Sequence, residues 1–223
     1  MPESPTDSVL SAKGLSFALS NATDFKDIFP WTNYPSGPSH SAEHCVKAPT
    51  RVALASENPE LERNAWGYQV EPGMKAYAWT KLLLDQATVK SEFDDPDLDA
   101  ENDADISNLC ITKSPKTLVT EYLKGLNAMF TEAVVQRLGE NVFKNMPVDV
   151  WLTVPATWSE KAKLLTKDAA LKAGFASKPN DRLMLIPEPE AAAHLALKSG
   201  LHTLENFVAV RKFPMNHKTS YIP

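Results

Sequence analysis

The stretch from Val148 to Gly200 admits few folds. Val148-Asp-Val-Trp-Leu-Thr-Val154 is rich in β-branched and aromatic side chains, which suit a pleated, half-buried strand. Pro155 stops that strand, because proline brings no N–H to a ladder. Ser159 can cap a helix that runs to about Ala173, with Gly174 as its left-handed stop. Leu183-Met-Leu-Ile186 reads as a second short apolar strand, and residues 189–199 as an alanine-rich helix ended by Gly200. Strand, helix, strand and helix with short joints predict a right-handed βαβ unit in a mainly parallel sheet, since parallel neighbours need a crossover between them. The fold class is therefore α/β.

Upstream, the best-marked element is a long helix. Ser114 can N-cap it, Pro115 takes the first helical position and Gly139 can close the end. Leu118, Tyr122, Leu126, Met129, Phe130 and Val134 recur at steps of three and four, a stripe that reads as core. Residues 14–19 alternate enough for a strand. Residues 30–50 hold Pro30, Pro35, Pro38 and Pro49 and read as a long loop. Val52–Ala55 and Trp66–Val70 read as short strands, the second ending at Pro72-Gly73. Residues 74–85 place Met74, Tyr77, Ala78, Lys81, Leu82 and Asp85 at helical spacing.

Composition narrows the function. The 223 residues include 8 glycines and 17 prolines, where ordinary usage gives roughly 16 and 11. No two glycines lie within five residues of each other, so neither G-x-x-x-x-G-K-[ST] nor G-x-G-x-x-G occurs. Those loops need clustered glycines to bring backbone N–H groups against a phosphate. Eight carboxylates fall within residues 92–105; without them the net charge of −5 becomes +3, so the acidity belongs to one loop. That loop fails as a Ca²⁺ site, with Ala100 where the sharp turn needs glycine and Ile106 where a bidentate glutamate belongs. His40, His44 and Cys45 lack a fourth metal ligand, so no metal site is expected. No basic stripe with interleaved aromatics supports nucleic-acid binding. No apolar run approaches the roughly 20 residues that span a bilayer, and Met1–Asp7 carries no apolar leader core. Cys45 and Cys110 form neither a disulfide framework nor a metal box. These features point to a cytoplasmic protein without a membrane partner.

Two motifs on the βαβα unit carry a family resemblance. Trp151-Leu-Thr-Val-Pro-Ala-Thr-Trp158, followed by Thr166-Lys-Asp-Ala169 and Ala173-Gly174, is the first. Leu185-Ile-Pro-Glu-Pro-Glu-Ala-Ala-Ala193 is the second. Together they resemble the 70-kDa heat-shock protein family, a branch of the actin-like ATPases. Trp158, Trp66-Gly-Tyr-Gln-Val70 and Lys81-Leu-Leu-Leu-Asp85 are similar to the divergent heat-shock-like proteins common in fungi. The resemblance implies part of lobe I of an actin-like (ribonuclease H-like) ATPase domain, an incomplete sheet with the βαβα unit at 148–200. It divides the chain into a loose N-terminus, 1–13, a partial nucleotide-binding lobe, 14–206, and an atypical tail, 207–223, with an acidic loop at 91–107 inside the lobe.

The family hydrolyses ATP with Mg²⁺ and K⁺ and couples this to peptide binding in a separate domain. The resemblance therefore implies ATP with Mg as cofactor, and unfolded protein clients or cochaperones as partners. It implies that Glu188 is the carboxylate beside the metal that orients the attacking water, and that Lys81 reaches the γ-phosphate region. Taken without the motif, Glu188 is a first-turn acid favoured by the helix dipole, and Lys81 is equally a solvated lysine. Pro155 matches an interdomain switch proline. Lys163 stands where the family has a relay arginine, which keeps the charge and loses the planar fork. The family's two glycine-rich phosphate clamps, Asp-x-Gly-Thr-Thr and Asp-x-Gly-Gly-Gly-Thr, do not occur: Met1–Lys13 stands in place of the first, and Arg211–Pro223 follows Phe207-Val-Ala-Val210 in place of the second. The expectation is weak or no ATP hydrolysis by this chain. The alternative is a non-catalytic truncated fragment or interaction module, with self-association through exposed lobe surfaces.

Overall fold

The computed structural model describes residues 12–13, 15–18, 28–37, 47–78, 81, 84–85 and 113–200. The acidic loop at 91–107, His40, His44, Cys45, Cys110 and the tail 207–223 lie outside the described residues. β1 (Ala12–Lys13), β2 (Ser16–Ala18), β3 (Ile28–Pro30) and β4 (Ala48–Pro49) form two antiparallel pairs, β1 with β4 and β2 with β3. β5 (Arg51–Ala53) is the centre of a three-stranded antiparallel sheet, between β6 (Ala65–Trp66) and β7 (Ala76–Ala78).

Two expectations fail here, each for a physical reason. The strand expected over Trp66–Val70 ends at Trp66, because Gly67 takes a φ of +61° and the chain tightens into a 3₁₀ turn over Gly67–Gln69. Within the helix expected over 74–85, Ala76–Ala78 instead form β7, with Tyr77 opposite Val52. Buried Asn58 explains this. Its amide donates to the carbonyls of Leu54 and Lys75 at 2.9 and 3.0 Å, and its Oδ1 accepts the Lys75 N–H at 2.7 Å. Those bonds hold residue 75 in line with the sheet, so tertiary pairing overrides helical spacing.

The long helix forms as expected. α1 (Pro115–Leu138) starts after Ser114, whose carbonyl accepts the Thr117 and Leu118 N–H groups at 2.9 and 3.2 Å while its side chain makes no cap bond. Gly139, at φ +85°, breaks the path, and α2 (Glu140–Asn145) follows. Leu118, Tyr122, Leu126, Met129 and Val134 are buried. Phe130 is partly buried and meets Phe143 edge-on, ring centroids 6.3 Å apart. The Tyr122 hydroxyl donates to the Ala48 carbonyl at 3.2 Å, and burial pushes its phenol well above the usual range.

The remaining elements are β8 (Asp149–Val154), α3 (Glu160–Lys172), β9 (Arg182–Pro187) and α4 (Glu188–Gly200). β8 and β9 pair in parallel, from Asp149 opposite Arg182 to Val154 opposite Pro187. They are the parallel pair among the described residues. The other pairings are antiparallel, as the short links between β5, β6 and β7 permit. Val150, Leu152 and Val154 turn toward the core, whereas Trp151 is 60% exposed. The core runs from Val52 and Trp66 through Leu118 and Tyr122 to Val154, Trp158 and Phe175, so α1 lies between the β5 sheet and the βαβα unit.

The start of the parallel pair is pinned by charge. Arg182 Nε donates to Asp149 Oδ1 at 2.8 Å, and its second nitrogen donates to Oδ2. The Arg182 hydrogen bonds hold the Asp149 carboxyl below its usual range. A depressed carboxylate contributes stability above the ordinary aspartate value of about 3.9, and that contribution is lost as pH falls through the lower folded value. Wild type should therefore melt slightly above Asp149→Asn at pH 7, and the gap should close below about pH 4. Equal melting temperatures across that range would show that the pair contributes nothing.

Candidate functional site

Three pieces of chain meet at the C-terminal ends of β8 and β9, the end of a parallel sheet where ligands gather. β9 ends at Pro187, and Glu188 opens α4 with Pro189 directly after it. A proline in the first turn costs the helix no hydrogen bond, and an acid there faces the positive end of the dipole. Glu188 is thus held at the strand end by its own flanking residues.

Lys81 arrives from the turn after β7. Its Nζ donates to Glu188 Oε1 at 2.5 Å and lies 5.3 Å from the centroid of the Trp158 ring. The Lys81 side chain is 16% exposed and that of Glu188 is 47% exposed. The lysine therefore sits inside the edge of the site and the carboxylate opens to solvent. The helical setting expected for Lys81 is not observed, since it stands in a turn.

Trp158 and its neighbour Ser159 form the third piece. Val154 ends β8, and the Pro155 carbonyl accepts the Trp158 N–H at 3.3 Å, closing a turn. Ser159 Oγ accepts the Ala162 N–H at 3.2 Å and caps α3 as expected. Buried Asp85 accepts from the Ser159 N–H at 2.8 Å and from Ser159 Oγ at 2.9 Å.

The structure brings Lys81 and Glu188 together, and Pro155 directly follows Val154, the β8 residue that pairs with Pro187. Lys163 lies on the first turn of α3, where its ammonium pairs with Glu160 at 2.7 Å. Trp158, Asp85 and Ser159 were not singled out as site residues from the sequence. Asp85 carries one local signal, the spacing Lys81-x-x-x-Asp85, which reads equally as two members of a helix face, while Ser159 reads as a helix cap and Trp158 as the end of a motif.

A cavity of about 960 Å³ runs between α1 and β8, with Leu123, Leu126, Phe130 and Leu152 in its wall and Lys81 in its lining. The wall is mainly apolar. Among the described residues, no three His, Cys, Asp or Glu side chains gather as metal ligands. No described helix is long and apolar enough to cross a membrane.

The class this defines is a mixed α/β protein with an acid–base pair at the ends of parallel strands. No family model matches the chain. It is similar to heat shock 70 kDa protein 12A of Mus musculus, 29% identical over 169 residues, and to the same protein of Homo sapiens at the same identity. The match takes in 71% of this chain and 23% of either relative, so the chain spans about a quarter of their length. This supports a distant relationship to heat-shock-70-like proteins.

Proposed function

We propose that this chain is part of a nucleotide-binding lobe of a heat-shock-70-like protein, and that Lys81 and Glu188 face the terminal phosphates of Mg-ATP. The observation that carries the reading is the 2.5 Å Lys81–Glu188 pair at the ends of the parallel strands. Lys81 supplies a point charge for a phosphate oxygen. While the ammonium is held by Glu188, the carboxylate is neutralised. A phosphate that takes the ammonium lets Glu188 accept a hydrogen bond from, and so orient, a water. Orientation alone accelerates phosphoryl transfer little, because the charge spread over the γ-phosphate must also be stabilised. The sequence holds neither glycine-rich clamp that would do this. We therefore assign binding without measurable turnover to this chain. Unfolded clients and cochaperones enter through the same likeness, and we assign them to parts of the relatives that it does not span.

Calorimetric titration with Mg-ATP tests the reading. Binding is expected, and Lys81→Ala should weaken it about tenfold or more, the loss of one charge-assisted contact. Phosphate release should stay at background for wild type and Glu188→Ala alike. No heat at high ATP, with a folded circular dichroism spectrum, would overturn the binding reading. Turnover abolished by Glu188→Ala would overturn the assignment of inactivity. A second reading, an interaction module, is favoured by exposed Trp151 on β8, a strand that pairs with β9 alone among the described residues. A null titration would move the balance to it.

A further inference from the structure

We propose that Asp85 and Ser159 form a latch that positions the Lys81 ammonium against Glu188. Asp85 is only 6% exposed, and a buried carboxylate is costly unless its oxygens are hydrogen-bonded. Both oxygens bond to one residue 74 positions away. Oδ2 accepts the Ser159 N–H and Oδ1 accepts the Ser159 hydroxyl proton. That hydroxyl still has a lone pair for the Ala162 N–H, so the serine is donor and acceptor at once. Asp85 is thereby tied to the opening turn of α3, where its charge also suits the helix dipole.

Lys81 lies four residues before Asp85, and its ammonium lies over the ring of Trp158, the neighbour of Ser159. One dipeptide, Trp158-Ser159, thus receives both ends of the turn: the indole face takes the cation and the capping serine takes the acid. A lysine has a flexible four-carbon stem and does not fix its own charge. The latch fixes the backbone from which that stem departs, and the indole limits where it can go. Asp85 and Ser159 are positioning residues that act on Glu188 through Lys81. The use of this arrangement on a phosphate rests on the nucleotide reading above; the positioning itself does not.

The test needs no nucleotide. The full chain is treated briefly with an amine-acylating ester, and the rate at each lysine is read by peptide mass spectrometry, with exposed Lys75 and Lys124 as internal references. Lys81 should react slowly in wild type. Asp85→Ala should raise its rate about tenfold, the weight of a lost charge-assisted pair of bonds. Ser159→Ala, which keeps the backbone N–H bond, should raise it about fivefold. Ser159→Thr should restore the wild-type rate. Thr120→Ala is the control: Thr120 Oγ1 bonds the Lys116 carbonyl within α1, so its loss weakens the fold without touching the latch and should leave Lys81 slow. An unchanged Lys81 rate in folded Asp85→Ala would overturn the proposal, as would an equal rise in Thr120→Ala. If Asp85→Ala does not fold, equal rates in Ser159→Ala and Ser159→Thr overturn it. A failed Mg-ATP titration leaves these rates untouched, so the two readings fail separately.

Discussion

Trp158→Ala is expected to lower stability by about 3–5 kcal/mol, the usual cost of deleting a buried indole. Trp158 is 6% exposed and belongs to the main core cluster with Val154, Ala162 and Phe175. Alanine would leave a gap between the end of β8 and the first turn of α3, and short neighbours such as Ala162 cannot fill it. For a chain of this size the loss corresponds to roughly 10 °C in melting temperature. The same substitution removes the ring beneath the Lys81 ammonium, so it should also free that lysine. Trp158→Phe should keep most of the stability and part of the cation–π contact. Urea unfolding followed by circular dichroism measures both variants. A loss below about 1 kcal/mol for the alanine variant would mean that the indole is not a core member.

Gly125→Ala should destabilise the protein although it improves a helix. Gly125 lies inside α1, where glycine costs about 1 kcal/mol relative to alanine. The Trp66 indole rests on the helix at that point, and a Cβ there would stand well inside van der Waals contact with its ring. Trp66 is also fixed from the side by Tyr122, edge-on with centroids 5.6 Å apart. The ring cannot step aside without disturbing that pair, so overpacking of about 1–3 kcal/mol should outweigh the gain in propensity. A midpoint higher than wild type in urea would show that Trp66 yields freely.

These two positions mark the limit of what sequence alone conveys. α1 and the βαβα unit were legible because local pattern and tertiary packing agree there. Pro155 stops β8, Ser159 caps α3, and Leu118, Tyr122 and Leu126 bury the stripe that their spacing announces. β7 was not legible, because its conformation is decided by the bonds of Asn58 to Leu54 and Lys75 and not by the residues of β7. In the sequence Gly125 is one glycine among eight, and only the fold sets Trp66 against it. At the site, Glu188 could be placed from its flanking prolines and the strand before it. Asp85 and Ser159 could not, because each had an adequate local explanation, one as part of a helical spacing and the other as a cap. Their bond joins positions 74 apart, which no local pattern encodes.

The Lys81–Glu188 contact spans 107 positions of chain and so has a consequence in time. At about 5–20 residues per second of synthesis, Lys81 leaves the ribosome roughly 5–20 s before Glu188. Throughout that interval the lysine lacks Glu188, and for most of it the acid at 85 lacks the helix that it docks against. The N-terminal strands and α1 can pack meanwhile. The pair completes only when α4 emerges, so nascent chains stalled before that helix should carry an assembled core and an open site.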